Sequence, residues 1–132
     1  MNINIDFVNK LRNSGLRPTK QRLKICEVLF NTEKTFHFTV NDLSKIISEK
    51  LNQKISLATV YNTVHAFKKK GYLKEISMNS EKTYFDTNTS HHHHFFDSST
   101  KELTDLSDDQ VEKIKINKAL PGKKISSVEI LV

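Results

Sequence analysis

Four consecutive histidines, His91-His92-His93-His94, are the densest reactive chemistry in the chain. A neutral imidazole ligates Fe, Zn, Mn or Ni through a ring nitrogen, and it can also sit axially on haem iron. In extended backbone successive side chains alternate, so His91 and His93 point one way and His92 and His94 the other. One run can therefore serve two sites. The lone cysteine, Cys26, falls on the apolar face of its predicted helix and reads as a small buried hydrophobe. One thiol cannot build a tetrahedral thiolate site, so no structural zinc held by four cysteines is expected.

The elements around these residues can be read from periodicity. A short helix is expected over residues 3–13. A second starts after Pro18 with Thr19 as N-cap, and places Leu23, Cys26 and Leu29 or Phe30 on one face. A third has Thr39 as N-cap, Asp42 in its first turn, and Leu43, Ile46, Ile47 and Leu51 at helical spacing. The fourth starts at Ser56, turns Leu57, Val60, Val64 and Phe67 inward, and stops at Gly71. A period of two then takes over. Residues 72–78 read as a strand, Asn79-Ser80-Glu81 as a turn and residues 82–86 as the returning strand. Helices followed by such a hairpin form the winged-helix pattern, with the hairpin as the wing.

The remainder reads as a smaller unit. Phe95-Phe96, residues 103–106 and residues 125–132 have strand character. Ser107-Asp108-Asp109-Gln110 is a capping box for a helix running to about Leu120, before Pro121-Gly122 breaks the chain. So short a unit buries little core alone, and its apolar last strand is expected to pair across a two-fold axis in a homodimer. The expected fold is α+β: a winged helix-turn-helix domain over 1–86, a His-rich hinge over 87–94 and a small α/β dimerisation domain over 95–132.

Charge is divided unevenly. The chain carries +6 overall, but residues 1–86 hold fifteen Lys/Arg against eight Asp/Glu, while residues 87–132 hold six against seven. All the excess positive charge sits in the winged-helix part, which points to a polyanionic partner. On the fourth helix Ser56, Thr59, Tyr61, Asn62, Thr63 and His65 remain on or near the outer side, as uncharged groups suited to base edges in a major groove. His65, alone there, is expected to face DNA or water rather than a metal. Arg17, Lys20, Arg22 and Lys24 precede this helix, Lys68 to Lys70 follow it and Lys82 lies at the wing, placed to meet phosphates of double-stranded DNA.

Three segments then carry a resemblance. Gly15-Leu16-Arg17-Pro18-Thr19-Lys20-Gln21-Arg22, Ser56-Leu57-Ala58-Thr59-Val60-Tyr61-Asn62-Thr63, and Tyr84-Phe85-Asp86 before the histidines resemble the ferric uptake regulator family, over residues 10–130. Residues 84–90 with the histidines and Phe95-Phe96 look most like its iron response regulator branch. The resemblance implies a dimeric regulator, mainly a repressor, of iron- and haem-related genes. It implies that Tyr61 contacts a base and that Arg22 lies at the DNA backbone. It places His37, Asp86 and members of His92 to His94 at a sensory site between the domains. A second candidate set is His91 or His92, His93 or His94, and Glu112, and which histidines serve each set is open by one position. Many members carry a Cys-x-x-Cys pair where this chain has Asp97-Ser98-Ser99-Thr100.

The effector implied is haem or a divalent metal, Fe(II), Mn(II) or Zn(II). The readings left open are a haem-responsive regulator, an Fe(II)- or Mn(II)-dependent repressor like the ferric and manganese uptake regulators, and a metal- or haem-buffering protein. The buffer has no need of the Ser56 to Tyr61 segment. An enzyme is the weakest reading: the chain is short, and no general base or nucleophile is arranged beside the ligands. With no signal-peptide pattern or apolar run near the ~20 residues that span a bilayer, the expected setting is the bacterial cytoplasm, with no membrane partner.

Overall fold

The computed structural model describes residues 3–76, 78, 81–116 and 120–132. The chain divides into two compact units, Met1–Thr89 and Ser90–Val132. In the first, the order is α1 (Ile3–Asn13), α2 (Lys20–Phe30), β1 (His37–Phe38), α3 (Val40–Leu51), α4 (Leu57–Lys70), β2 (Lys74–Ile76) and β3 (Tyr84–Asp86). The second contains β4 (His93–Asp97), β5 (Glu102–Leu106) and one 3-10 turn, Asp108–Gln110.

Local signals place the helices. Thr19 accepts from the Arg22 amide at 3.2 Å, and Ser56 from the Thr59 amide at 3.2 Å. Thr39 and Asp42 form a reciprocal capping box at the start of α3. Gly71 closes α4 in the left-handed region, φ 92°, where a side chain would be strained. Inside, Leu11, Ile25, Leu29, Phe38, Leu43, Ile47, Val60, Val64 and Phe67 are buried around one core. Each such side chain stabilises the fold by about 1.5–3 kcal/mol, which is why α4 is fixed in rotation and its outer face is predetermined. Loss of the Thr39 cap is expected to be felt locally. Thr39→Ala should cost about 0.5–2 kcal/mol in urea unfolding, and Thr39→Ser should recover most of it.

Strands β1, β3 and β2 form an antiparallel sheet in that order. The wing is narrower than the alternation predicts, and the expected turn residues Asn79 and Ser80, with Ser77, lie outside the described residues. β1 is a surprise: two residues have no period to detect, and the strand exists because Phe38 is buried while its backbone pairs with β3. Two further readings are corrected. Leu57 is half exposed rather than inward, because the first helical residue projects past the packed core. Thr63 is fully buried, and its hydroxyl donates to the Thr59 carbonyl at 2.7 Å.

In the second unit β4 and β5 pair antiparallel, with His94 opposite Asp105. The helix expected from Ser107 to about Leu120 is absent over the described residues: the capping box forms but closes a single turn. Beyond it Lys113-Ile114-Lys115-Ile116 alternates with period two, both isoleucines are exposed, and nothing buries a helical face. Residues 117–119 of that expected helix lie outside the described residues. The expected last strand survives only at its end. Residues 130–132 run parallel along β4 of the same chain, through His94 N–H to the Ile130 carbonyl and Val132 N–H to the His94 carbonyl, both 2.9 Å. Among the described residues every buried apolar side chain lies in the first unit, whereas the second buries His92, His93 and His94 and exposes Phe95, Ile116, Leu120, Ile125 and Val132.

Candidate functional site

The first unit presents α4 as the wall of a cleft of about 690 Å³. Tyr61 and Asn62 line it beside Leu57, Ala58 and His65, with Lys82 and Thr83 entering from the wing side. Tyr61 is 52% exposed, and its ring stacks on that of His65 at 5.6 Å between centroids, 8° from parallel. Ser56 and Thr59 hydroxyls lie 2.8 Å apart within the helix cap. Arg17, before α2, and Lys20, its first residue, are exposed, and the Arg22 guanidinium donates to the Arg17 carbonyl at 3.0 Å. Ser56, Thr59, Arg17, Lys20 and Arg22 are not among the cleft's lining residues. Thr63 is removed from the outer face by its burial.

Strand register makes the ligand-type clusters. In the first unit β1 pairs with β3 so that His37 stands opposite Asp86, with Nε2 3.3 Å from Oδ2. Asp86 is fully buried, and its Oδ1 accepts from the Asn88 amide at 2.8 Å. In the second unit the histidines sort by parity, as alternation requires. His92 and His94 turn to Asp105, their Nε2 atoms 3.2 and 3.5 Å from its Oδ1. His91 Nδ1 and His93 Nε2 turn to Asp108, at 3.4 and 3.0 Å.

Hydrogen bonds fix the tautomers of these rings, since a carbonyl can only accept and a backbone amide can only donate. His92 Nδ1 lies 2.6 Å from the Ser90 carbonyl and donates to it, so in the neutral ring Nε2, the nitrogen that faces Asp105, is the one that can ligate. A metal-ready imidazole is held in this way. His93 has the opposite arrangement: the Ile130 amide donates to its Nδ1 at 2.9 Å, so in the neutral ring Nε2 carries the proton that meets Asp108. His91 Nε2 donates to the Val128 carbonyl at 2.8 Å. Glu112 lines a separate cleft of the second unit with His91, His93 and Asp108, but the close donor cluster there is His91, His93 and Asp108. Cys26 contributes no thiolate: burial pushes its thiol up to about 12.

The arrangement pairs a basic winged helix with carboxylate–imidazole clusters, and comparison with known proteins decides its kinship. The ferric uptake regulator family model matches residues 13–132. The chain belongs to the ferric uptake regulator family. Members are metal-responsive transcriptional regulators that bind DNA and are dimeric. The peroxide-responsive repressor PerR of Staphylococcus epidermidis is 30% identical over 109 residues, 83% of this chain and 71% of that protein. The Vibrio cholerae ferric uptake regulator superimposes with a TM-score of 0.68 at 25% identity, over 95% of this chain and 97% of that one. A zinc-bound manganese uptake regulator does so with a TM-score of 0.58 at 27% identity, over 76% and 74%.

Within this family the β4–β5 turn sets the chain apart from members with a Cys-x-x-Cys pair. Asp97 Oδ1 accepts from the Ser99 amide at 2.8 Å and the Thr100 amide at 3.2 Å, and Lys101 N–H reaches the Asp97 carbonyl at 2.7 Å. A thiolate zinc does not fit here; hydrogen bonds close the turn. The Ser99 amide first, then Thr100, holds the Asp97 carboxyl below its ordinary 3.8. Because the folded value is lowered, this stabilisation is present above 3.8 and fades as pH falls through the folded value. Asp97→Ala should therefore lower the melting temperature at neutral pH, by an amount that shrinks in acid. Asp97→Asn, a neutral isostere like the protonated carboxyl, should keep the hydrogen-bond pattern but lose this pH-dependent stabilisation, and chelators should not mimic the loss.

Sequence reading missed Asp105 and Asp108, the carboxylates that face the histidines. Register would have found the first, since pairing residues 93–97 with 102–106 puts Asp105 opposite His94. Asp108 was visible only as a capping residue.

Proposed function

We propose that this regulator is a homodimeric, metal-responsive repressor of iron-related genes in the bacterial cytoplasm. The observation that carries the proposal is the coexistence, in one chain of this family, of an exposed Tyr61–Asn62 helix face and His92 in a metal-ready tautomer beside His94 and Asp105. Tyr61 and Asn62 would meet base edges, with Ser56 and Thr59 at the helix start, and Arg17, Lys20, Arg22 and Lys82 would meet phosphates. Thr63 drops out of that set. The candidate ligands are His37 and Asp86 in the first unit, and His92, His94 and Asp105 in the second. Imidazole and carboxylate without thiolate suit Fe(II) and Mn(II) as well as Zn(II). Bound, the ion would supply positive charge that these residues lack alone, and so change which arrangement of the chain is favoured.

The exposed apolar residues of the second unit support the dimer. A second copy is the simplest cover for Phe95, Leu120, Ile125 and Val132. The iron response regulator branch and a haem effector rest on residues 84–96 and on Asp97-Ser98-Ser99-Thr100 standing where many members carry a Cys-x-x-Cys pair, whereas the relatives named above are peroxide-, ferric- and manganese-linked. We therefore take the divalent metal as the effector. No helix among the described residues is long and apolar enough to cross a membrane.

The test is a gel shift against iron-gene promoters of the source genome, with salt varied. A retarded complex whose affinity falls steeply with salt supports the reading. Equal retention of every duplex at high and low salt overturns it.

A further inference from the structure

We propose that His65 is a positioning residue for DNA recognition, setting the ring of Tyr61 before the duplex arrives. The inference rests on the DNA-binding reading above and adds a device to it. Tyr61 is half exposed on α4, at the wall of the wing-side cleft. An exposed tyrosine samples several rotamers, and fixing one of them on binding weakens the complex. His65 stands one helical turn further on, where i and i+4 side chains meet. Its ring lies parallel to that of Tyr61, 8° apart with centroids at 5.6 Å, an offset stack. Such a stack holds the phenol in one orientation and leaves its hydroxyl edge free to meet a base. The opposite side of α4 is anchored by fully buried Val60, Thr63, Val64 and Phe67, so the stack stands on a rigid platform. Sequence reading assigned His65 to DNA or water; the geometry gives it a partner within the protein.

The same stack has a plainer consequence, since an i,i+4 ring pair also stabilises a helix slightly. A helix-stabilising role would move the unfolding curve and leave DNA binding untouched. A direct phosphate contact by His65 would move the salt dependence. A positioning role weakens DNA binding, leaves the salt dependence unmoved, and acts only where Tyr61 is present.

The test uses the Mn(II)-loaded full chain and a duplex that the native protein selects from a randomised pool. His65→Ala should weaken binding about two- to tenfold per recognition helix, the range an aromatic pair supplies. His65→Phe, which keeps a flat ring without charge, should restore binding. The slope of log affinity against log salt should stay unchanged. In a Tyr61→Ala background the His65→Ala effect should vanish. Unchanged affinity in His65→Ala would overturn the inference. So would failure of His65→Phe to restore binding, or a loss that persists without Tyr61. Failure of the native chain to select any duplex would instead overturn the DNA-binding reading, a distinguishable result.

Discussion

Tyr61→Ala is expected to weaken binding to a selected duplex by about 1–3 kcal/mol per recognition helix, roughly five- to 150-fold, the scale of a single base-edge interaction. Tyr61 is uncharged, so its removal releases no fewer counterions, and the salt slope and the affinity for random DNA should stay as they were. The half-exposed ring contributes little to the core, so unfolding should hardly change. This combination separates a base contact from the other possibilities. Arg17→Ala or Lys82→Ala should do the reverse, lowering affinity for all sequences alike and reducing the slope by about 0.9 for each phosphate no longer neutralised. Competition binding at two salt concentrations reads both quantities. A Tyr61→Ala protein that keeps full preference for the selected duplex would remove α4 from the recognition surface.

The second large effect concerns the metal. His92→Ala combined with His94→Ala should lower Mn(II) affinity more than about 100-fold, since the loss of a supporting shell alone costs 10–100-fold. His91→Ala should change that affinity far less, because the ring lies 40% exposed and its neighbour His93 has Nδ1 taken by the Ile130 amide and Nε2 turned to Asp108. His93→Ala should loosen the end of the chain instead, as its Nδ1 accepts from the Ile130 amide. Isothermal titration with Mn(II), together with hydrogen exchange at residues 128–132, distinguishes the two parities. The double variant should remain folded, since Asp105, left without its imidazoles, is 39% exposed and stays hydrated. Equal losses at odd and even histidines would contradict the tautomer argument.

What the sequence disclosed and what it hid divide by range along the chain. Thr19, Thr39, Ser56 and Gly71 act on backbone groups within one turn, so the helix starts and the stop were readable. The inward stripe of α4 was readable in outline, but its phase was not: the choice between Leu57 and Thr63 depends on where the core ends. The capping box at Ser107 was real, yet a cap cannot propagate a helix with no buried face behind it. Asp105 was missed because cross-strand register brings it to the histidines from more than ten residues away, and Asp108 because the turn after β5 carries it there. Which ring nitrogen of His92 and His93 carries the proton in the neutral ring depends on the carbonyl of Ser90 and the amide of Ile130, and no residue type announces those.

The central claim is that occupancy of the imidazole–carboxylate ligands is coupled to DNA binding. Fluorescence anisotropy of a labelled, selected duplex, followed while Mn(II) is titrated into chelator-treated protein, tests it most directly. A saturable change in DNA affinity of about five- to 150-fold is expected, the usual span of coupling between two sites, abolished in the His92→Ala/His94→Ala protein. Equal DNA affinity with and without Mn(II), in a protein that demonstrably binds the ion, would contradict it.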